Sequence, residues 1–278
     1  TLLFDQRKRE WSEEMLSASG IDRSLLPDVL PSTTRLGEVH DEAAKLTRLP
    51  PGTPVILGGH DHLCSNLPVG AFRPGVVLDV TGTWESVLTS VPEPVLTPKV
   101  RAGGLTVQSH VARDRYSVWG STPAGESLEW FRAHFGQEAK RLAEEKGSTD
   151  WEELMAEAVS SPPGARGVMF LPHLSSTGCP IPDDRSLGAF VGLSTFAASG
   201  DVVRAIIEGL DYQFLDIVRA MEAGLDRKLE KFVAVGGAIQ NKFWMQNKAD
   251  VVGRPVEVPD VKEATPLGAA ILAGIGLG

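Results

Sequence analysis

Phe232-Val233-Ala234-Val235-Gly236-Gly237-Ala238-Ile239-Gln240-Asn241 is the stretch on which the reading of this chain turns. An apolar, β-branched run of strand length enters a glycine pair, and a helix is expected behind it over 241–252, carrying Phe243, Trp244 and Asp250. A strand that ends in Gly-Gly lets a ligand approach the main chain. A following helix N-terminus offers unpaired N–H groups to anions. A second strand over 255–258 and a small-residue helix over 264–272 complete the segment.

Two more corners of the same kind lie upstream. Thr53-Pro54-Val55-Ile56-Leu57 reads as a short buried strand running into Gly58-Gly59-His60-Asp61-His62. Residues 75–90 read as a hairpin, with Val76 to Val80 as one arm, Thr81-Gly82-Thr83 as the turn and Ser86 to Thr89 as the other arm. Any one glycine pair alone is more often an ordinary turn than a site.

The intervening segments alternate strand and helix. A strand at 116–119 precedes a helix starting at Gly125, whose apolar face Leu128, Phe131 and Phe135 is closed by Gly136. Residues 137–166 read as charged and helical, broken at Ser161-Pro162-Pro163-Gly164. Strands at 167–172 and 189–193 flank a loop holding Cys179, Asp183 and Asp184. The clearest helix follows, capped by Asp201 and stopped at Gly224, with Val203, Ile206, Ile207, Leu210, Phe214, Ile217, Val218 and Met221 as its stripe. Alternation of this kind defines an α/β chain.

Composition narrows the function classes. The 278 residues carry 27 Lys+Arg against 36 Asp+Glu, a net charge of −9, which disfavours a nucleic-acid binder working by phosphate neutralisation. The most apolar run, 267–277, is short and broken by Gly268, Gly274 and Gly276, so no membrane span is expected. Two cysteines, Cys64 and Cys179, form no close-spaced ligand pair and fit a reducing, cytoplasmic setting.

Taken together the blocks resemble the FGGY family of carbohydrate kinases. Residues 58–62 look like its Gly-Gly-x-Asp block and 81–86 like its Gly-Thr phosphate hairpin. Residues 167–172, 188–193 and 201–208 look like its downstream signature. The closing block carries Trp244, Gln246, Ala249-Asp250, Pro255-Val256, Glu263-Ala264 and Leu267-Gly268-Ala269-Ala270. The resemblance implies an actin-like ATPase (ribonuclease H-like) domain, α/β, with a mixed sheet flanked by helices. It implies transfer of phosphate from ATP, with Mg2+, to a hydroxyl of a small-molecule sugar or polyol, in a cytoplasmic enzyme able to form a homodimer. On this reading residues 1–62 are the end of an N-terminal domain and 63–278 a nucleotide-binding C-terminal domain.

From the residues alone, Asp61 reads equally as a helix cap or as a proton acceptor at a strand's C-terminal edge, where open α/β sheets place ligands. The matched block implies the general base, with His62 beside it against the substrate. The resemblance also implies nucleotide contacts at Gly82, Thr83, Gly125, Glu129, Gly237 and Asn241. Glu129 reads as well as a solvent-facing helix residue, and Asn241 as the N-cap of the following helix.

Some features depart from the family. Histidines flank Asp61, and the loop 175–180 lacks the Glu-Arg often found there. Trp84-Glu85 after Gly-Thr resembles the fuculokinase and rhamnulokinase branches, which favours a deoxysugar or ketose over glycerol. His60, His62 and Cys64 would share one face of a strand and could ligate zinc, but a fourth ligand is not visible and no metal is assigned to them. The chain starts at Thr1, without the Asp-x-Gly-Thr loop of the family's first domain. It is therefore expected to be a fragment that binds nucleotide weakly and turns over negligibly by itself. A non-catalytic nucleotide-binding module derived from a kinase, or an ATPase of the same superfamily that uses water, are the competing readings.

Overall fold

The computed structural model describes residues 2–278. In chain order these form β1 (Phe4–Asp5), β2 (Glu10–Trp11), α1 (Glu13–Ser19), β3 (Arg35–Glu38), α2 (Asp41–Thr47), β4 (Pro54–Ile56) and α3 (Asp61–Ser65). Then follow β5 (Val76–Thr81), β6 (Trp84–Val91), α4 (Pro98–Ala102), β7 (Thr106–Ser109), β8 (Tyr116–Pro123), α5 (Gly125–Phe135), α6 (Gln137–Lys146) and α7 (Asp150–Ser160). The last third holds β9 (Met169–Leu171), β10 (Ala189–Val191), α8 (Ser199–Leu225), β11 (Lys231–Val235), α9 (Lys242–Val252), β12 (Val256–Glu257) and α10 (Ala264–Leu277).

A six-stranded sheet in the order β12-β11-β5-β6-β8-β7 is the frame of the molecule. β11 runs parallel to both β12 and β5, whereas β5, β6, β8 and β7 are successively antiparallel. The sheet is mixed, with helices on both faces, as an actin-like domain requires. Its central strands are apolar on both sides, as expected when both faces are covered. Val77 and Phe232 face α8, packing with Phe214, Ile217 and Met221. Leu78, Leu88 and Val233 face the other way, toward Leu63 of α3 and Leu272 of α10.

Several expectations change in detail. The strand at β4 is not buried: Val55 is 40% exposed, because β4 pairs only with β3 in a separate two-stranded ribbon. Gly224 does not stop α8, which runs on to Leu225 and ends at Asp226 in the left-handed conformation. Gly224 serves packing instead, since a Cβ there would lie 2.9 Å from Val100 Cγ2 of α4. The backbone cap of α8 is Ala198, and Asp201 reaches back to accept the Ala198 N–H at 2.9 Å and the Ser161 hydroxyl at 2.5 Å. The segment 61–65 is a helix, so residues 60, 62 and 64 do not share a strand face. Cys64 turns into the core and contacts the Gly59 carbonyl at 3.6 Å.

Candidate functional site

The glycine corners of β5–β6 and β11 meet at neighbouring strand ends. β5 and β11 are parallel, with Val80 opposite Val235, so Thr81-Gly82-Thr83 and Gly236-Gly237 leave the sheet side by side. Gly236 has φ +103, and a Cβ there would sit 2.4 Å from the Thr81 carbonyl oxygen. Only glycine fits that crossing. Gly125 is held as tightly, because its Cβ would meet the Gly82 carbonyl at 2.6 Å.

A cleft of about 960 Å³ opens over these corners. It lies within the usual size range of small-molecule sites. Gly82, Thr83, Gly125, Glu129, Gly237 and Asn241, expected from sequence to meet a nucleotide, all line it. Leu128, Trp151, Met155 and Trp244 supply apolar walls that sequence reasoning did not assign. At Gly237 a Cβ would meet nothing within 4 Å, so that backbone presents a flat open face. Asn241 caps α9, its Oδ1 accepting the Trp244 N–H at 3.1 Å, while its amide Nδ2 donates to Met155 Sδ at 2.8 Å.

Two local features refine the expected anion grip. The first N–H groups of α5 are already spent: those of Ala124 and Glu126 donate to the Thr83 carbonyl, and that of Gly125 to Gly82. The helix start thus braces the hairpin and does not face a ligand. Glu129 is held by Arg132 at 3.0 and 2.5 Å, and this pairing keeps its carboxyl below the usual range. Glu126, Glu129 and Glu152 in the cleft lining are met there by a single cation, Lys242, with Arg132 already paired to Glu129. A polyphosphate would need main-chain donors and a metal ion to offset that charge.

Asp61 and His62 lie outside this lining, at the start of α3. The Asp61 carboxylate is 63% exposed and its Oδ1 accepts the His62 N–H at 2.8 Å. His62 is tied to the sheet, with Nε2 3.2 Å from Ser86 Oγ on β6 and its ring 6.0 Å from Trp119 on β8. Burial lowers the His62 pKa, partly opposed by Asp61, so the ring is neutral near pH 7. Base candidate and cleft therefore hang on the same strand: Ser86 stands three residues after Thr83.

Beneath the cleft is a charged cluster the sequence did not advertise. Lys248 of α9 is fully buried, donating to Asp79 at 2.7 Å, to Thr81 Oγ1 at 3.0 Å and to Glu85. Asp211 of α8 accepts from Trp244 Nε1 at 2.9 Å and Asn247 Nδ2 at 2.6 Å. Burial pushes Asp211 up to about 7 and lifts Glu85 well above the carboxylate range. Burial alone would lower the Lys248 pKa, but Asp79, Glu85 and Asp211 outweigh it and raise it. Thr81 and Glu85 bracket the Gly82-Thr83 turn, so this ammonium pins the hairpin from below. An aspartate inside Val77-Leu78-Asp79-Val80 was the one readable signal of it.

The frame and the cleft define a domain of the actin-like ATPase class. Residues 78–277 match the FGGY family of carbohydrate kinases, C-terminal domain, and residues 1–68 match the N-terminal domain of the same family. The chain belongs to the FGGY family of carbohydrate kinases. It is 32% identical over 279 residues to the xylulose kinase of Lactococcus lactis subsp. lactis (strain IL1403), covering 100% of this chain and 53% of that protein. It is 32% identical over 282 residues to a glycerol kinase of Pseudothermotoga lettingae, with the same coverages. The crystal structure of xylulose kinase from Rhodospirillum rubrum superposes with a TM-score of 0.76 at 31% identity, covering 99% of this chain and 53% of that one. The chain thus spans about half the length of the curated relatives it matches.

Proposed function

We propose that this chain carries the nucleotide site and the general base of a kinase that moves the γ-phosphoryl group of ATP to a sugar or polyol hydroxyl. What carries the reading is the convergence of six expected nucleotide residues, from two glycine corners and the first turns of two helices, on one cleft. The flat face at Gly237 and the walls of Leu128, Trp151 and Met155 suit an adenine ring. The amide of Asn241 suits the nucleoside, and the hairpin Gly82-Thr83 the phosphates. Asp61 accepts the proton of the attacking hydroxyl as that oxygen bonds to the γ-phosphorus and the bond to the β,γ-bridging oxygen breaks, releasing ADP, with His62 orienting the sugar. Mg2+, when bound, offsets the phosphate charge; it is held by phosphates and waters more than by side chains. The division into 1–62 and 63–278, a cytoplasmic setting and a homodimer belong to the same proposal.

The test is calorimetric titration of ATP with Mg2+ into the chain, then a phosphorylation panel of ketopentoses, deoxyhexoses and glycerol on a two-domain protein in which a complete FGGY N-terminal domain accompanies this chain. One nucleotide per chain and one preferred ketose or deoxysugar are expected. ATP bound with no sugar phosphorylated would leave a nucleotide-binding module; no ATP bound would overturn the reading. A paired substitution separates fold from site. Gly236→Ala must strain a φ of +103 and displace the Thr81 carbonyl, costing about 1–3 kcal/mol of stability in urea denaturation. Gly237→Ala adds a methyl where nothing stands within 4 Å, so stability holds while ATP affinity falls. Equal effects of the two on ATP affinity and stability would remove Gly237 from the cleft's working surface.

A further inference from the structure

Gly59 brings three ligating side chains together. A Cβ at that position would lie 2.1 Å from Val111 Cγ1, so only the bare backbone lets the chain turn there and present residues 60, 61 and 62 in succession. His60 Nδ1 lies 3.0 Å from Asp61 Oδ1, and His62 Nδ1 lies 3.6 Å from the same oxygen. One ligand atom from each of the three falls within 4.8 Å of the other two. Two donors each about 2.0–2.2 Å from a single ion, at angles between octahedral and trigonal, stand about 3–3.6 Å apart. The two separations to Asp61 Oδ1, 3.0 and 3.6 Å, fit donors arranged around one ion.

We propose that His60, Asp61 and His62 form a site for a borderline divalent transition ion of the zinc class, distinct from the magnesium that accompanies ATP. Two imidazoles and one carboxylate select such an ion over Mg2+ or Ca2+, which take oxygen donors. His62 is oriented by a neighbour, as metal-binding histidines are: Nε2 stands 3.2 Å from Ser86 Oγ, and when that nitrogen donates to the hydroxyl, Nδ1 is the ring atom left to ligate. Trp119 walls the site, its ring 5.9 Å from that of His60 and 6.0 Å from that of His62. His60 and Asp61 are exposed, so the remaining coordination positions open to water. Three protein ligands with an open side are the pattern of an exchangeable ion, not of a closed structural site. Occupation engages the Asp61 lone pair on the ion, and so withdraws it from a hydroxyl proton. That consequence, unlike the site itself, rests on the base role proposed above for Asp61.

Calorimetry with zinc chloride and the metal-free chain, without nucleotide, is the first measurement. One ion per chain is expected, and His60→Asn and His62→Asn are each expected to weaken binding by about tenfold or more. Both substitutions sit at exposed or half-buried side chains, and circular dichroism checks that the fold is kept. Cobalt(II) should quench Trp119 fluorescence, and Trp119→Phe should remove that component. Absence of stoichiometric zinc binding, or binding indifferent to both histidine variants, overturns the site. In the sugar assay zinc is expected to slow phosphoryl transfer, with His60→Asn raising the concentration required about tenfold. Zinc bound without inhibition overturns the consequence for Asp61 and leaves the site standing. No sugar phosphorylation by the two-domain enzyme under any condition counts against the proposed function, while the calorimetry still decides the metal site.

Discussion

In a two-domain enzyme that contains this chain, Asp61→Asn is expected to lower kcat for sugar phosphorylation by about 10²–10⁴-fold while leaving ATP affinity unchanged. The side chain is 63% exposed and its one backbone contact, the His62 N–H at 2.8 Å, is accepted by Oδ1. An asparagine Oδ1 accepts the same hydrogen bond, so the start of α3 is preserved. Surface changes of that kind shift stability by about 0.5 kcal/mol or less. The amide cannot take up a hydroxyl proton, and the activity loss then reports chemistry alone. Asp61 does not line the cleft over Gly82 and Gly237, so the nucleotide should not sense the change. Coupled detection of ADP release gives kcat, and calorimetry gives the affinity. Undiminished turnover would remove Asp61 from the base role. Loss of ATP binding would instead mean that α3 and the cleft act as one unit.

The elements that local chemistry encodes were readable in the chain. Gly236-Gly237 behind an apolar strand, the hairpin at Gly82 and the stripe of α8 all announce themselves through residue type and spacing. The six cleft residues were expected only through the resemblance to the family: Glu129, inside α5, read equally as a solvent-facing residue, and Asn241 equally as a helix cap. What was not readable depends on distant partners. Lys248 sits in Gln246-Asn247-Lys248-Ala249-Asp250, which reads as a solvated helix face, yet it is fully buried against Asp79 and Glu85, whose sequence separations from it are 169 and 163. Trp151 and Met155 reach the cleft only because α7 packs on α8. The burial expected of β4 failed for a similar reason. An apolar run of strand length says that a strand forms, not what lies over it. At α5 the sequence showed a helix start but could not show that its N–H groups are consumed by the hairpin next to it.

Lys248→Met should be the most destabilising single change in the domain, by about 3–5 kcal/mol, and the deficit should grow with pH. The methionine chain fills the space of the lysine stem beside Phe214 and Trp244, so the volume is nearly kept and the charge is lost. Asp79, Glu85 and Asp211 then stand buried with no cation among them. Glu85 and Asp211, already raised by burial, lose the cation that opposed that rise, so their favourable contribution exists at low pH and disappears as pH rises through the folded value. Asp211 already behaves this way with the lysine present: pushed up to about 7, it makes stability fall as pH rises from about 4 to 7. Lys248, with its pKa raised, contributes at full strength below its ordinary value and loses that contribution only at strongly alkaline pH. Between pH 5 and 8 the wild-type ammonium is therefore constant, and any extra slope in the variant comes from the abandoned carboxylates. Urea denaturation of both proteins at pH 5 and pH 8 measures that slope. Adding Glu85→Gln to Lys248→Met should recover part of the loss, since one buried acid goes with its partner. ATP affinity should fall in the single variant as well, because Thr81 and Glu85 hold the two ends of the Gly82-Thr83 turn. A deficit that is small and equal at both pH values would show that the ammonium is not what allows three acids to share this interior.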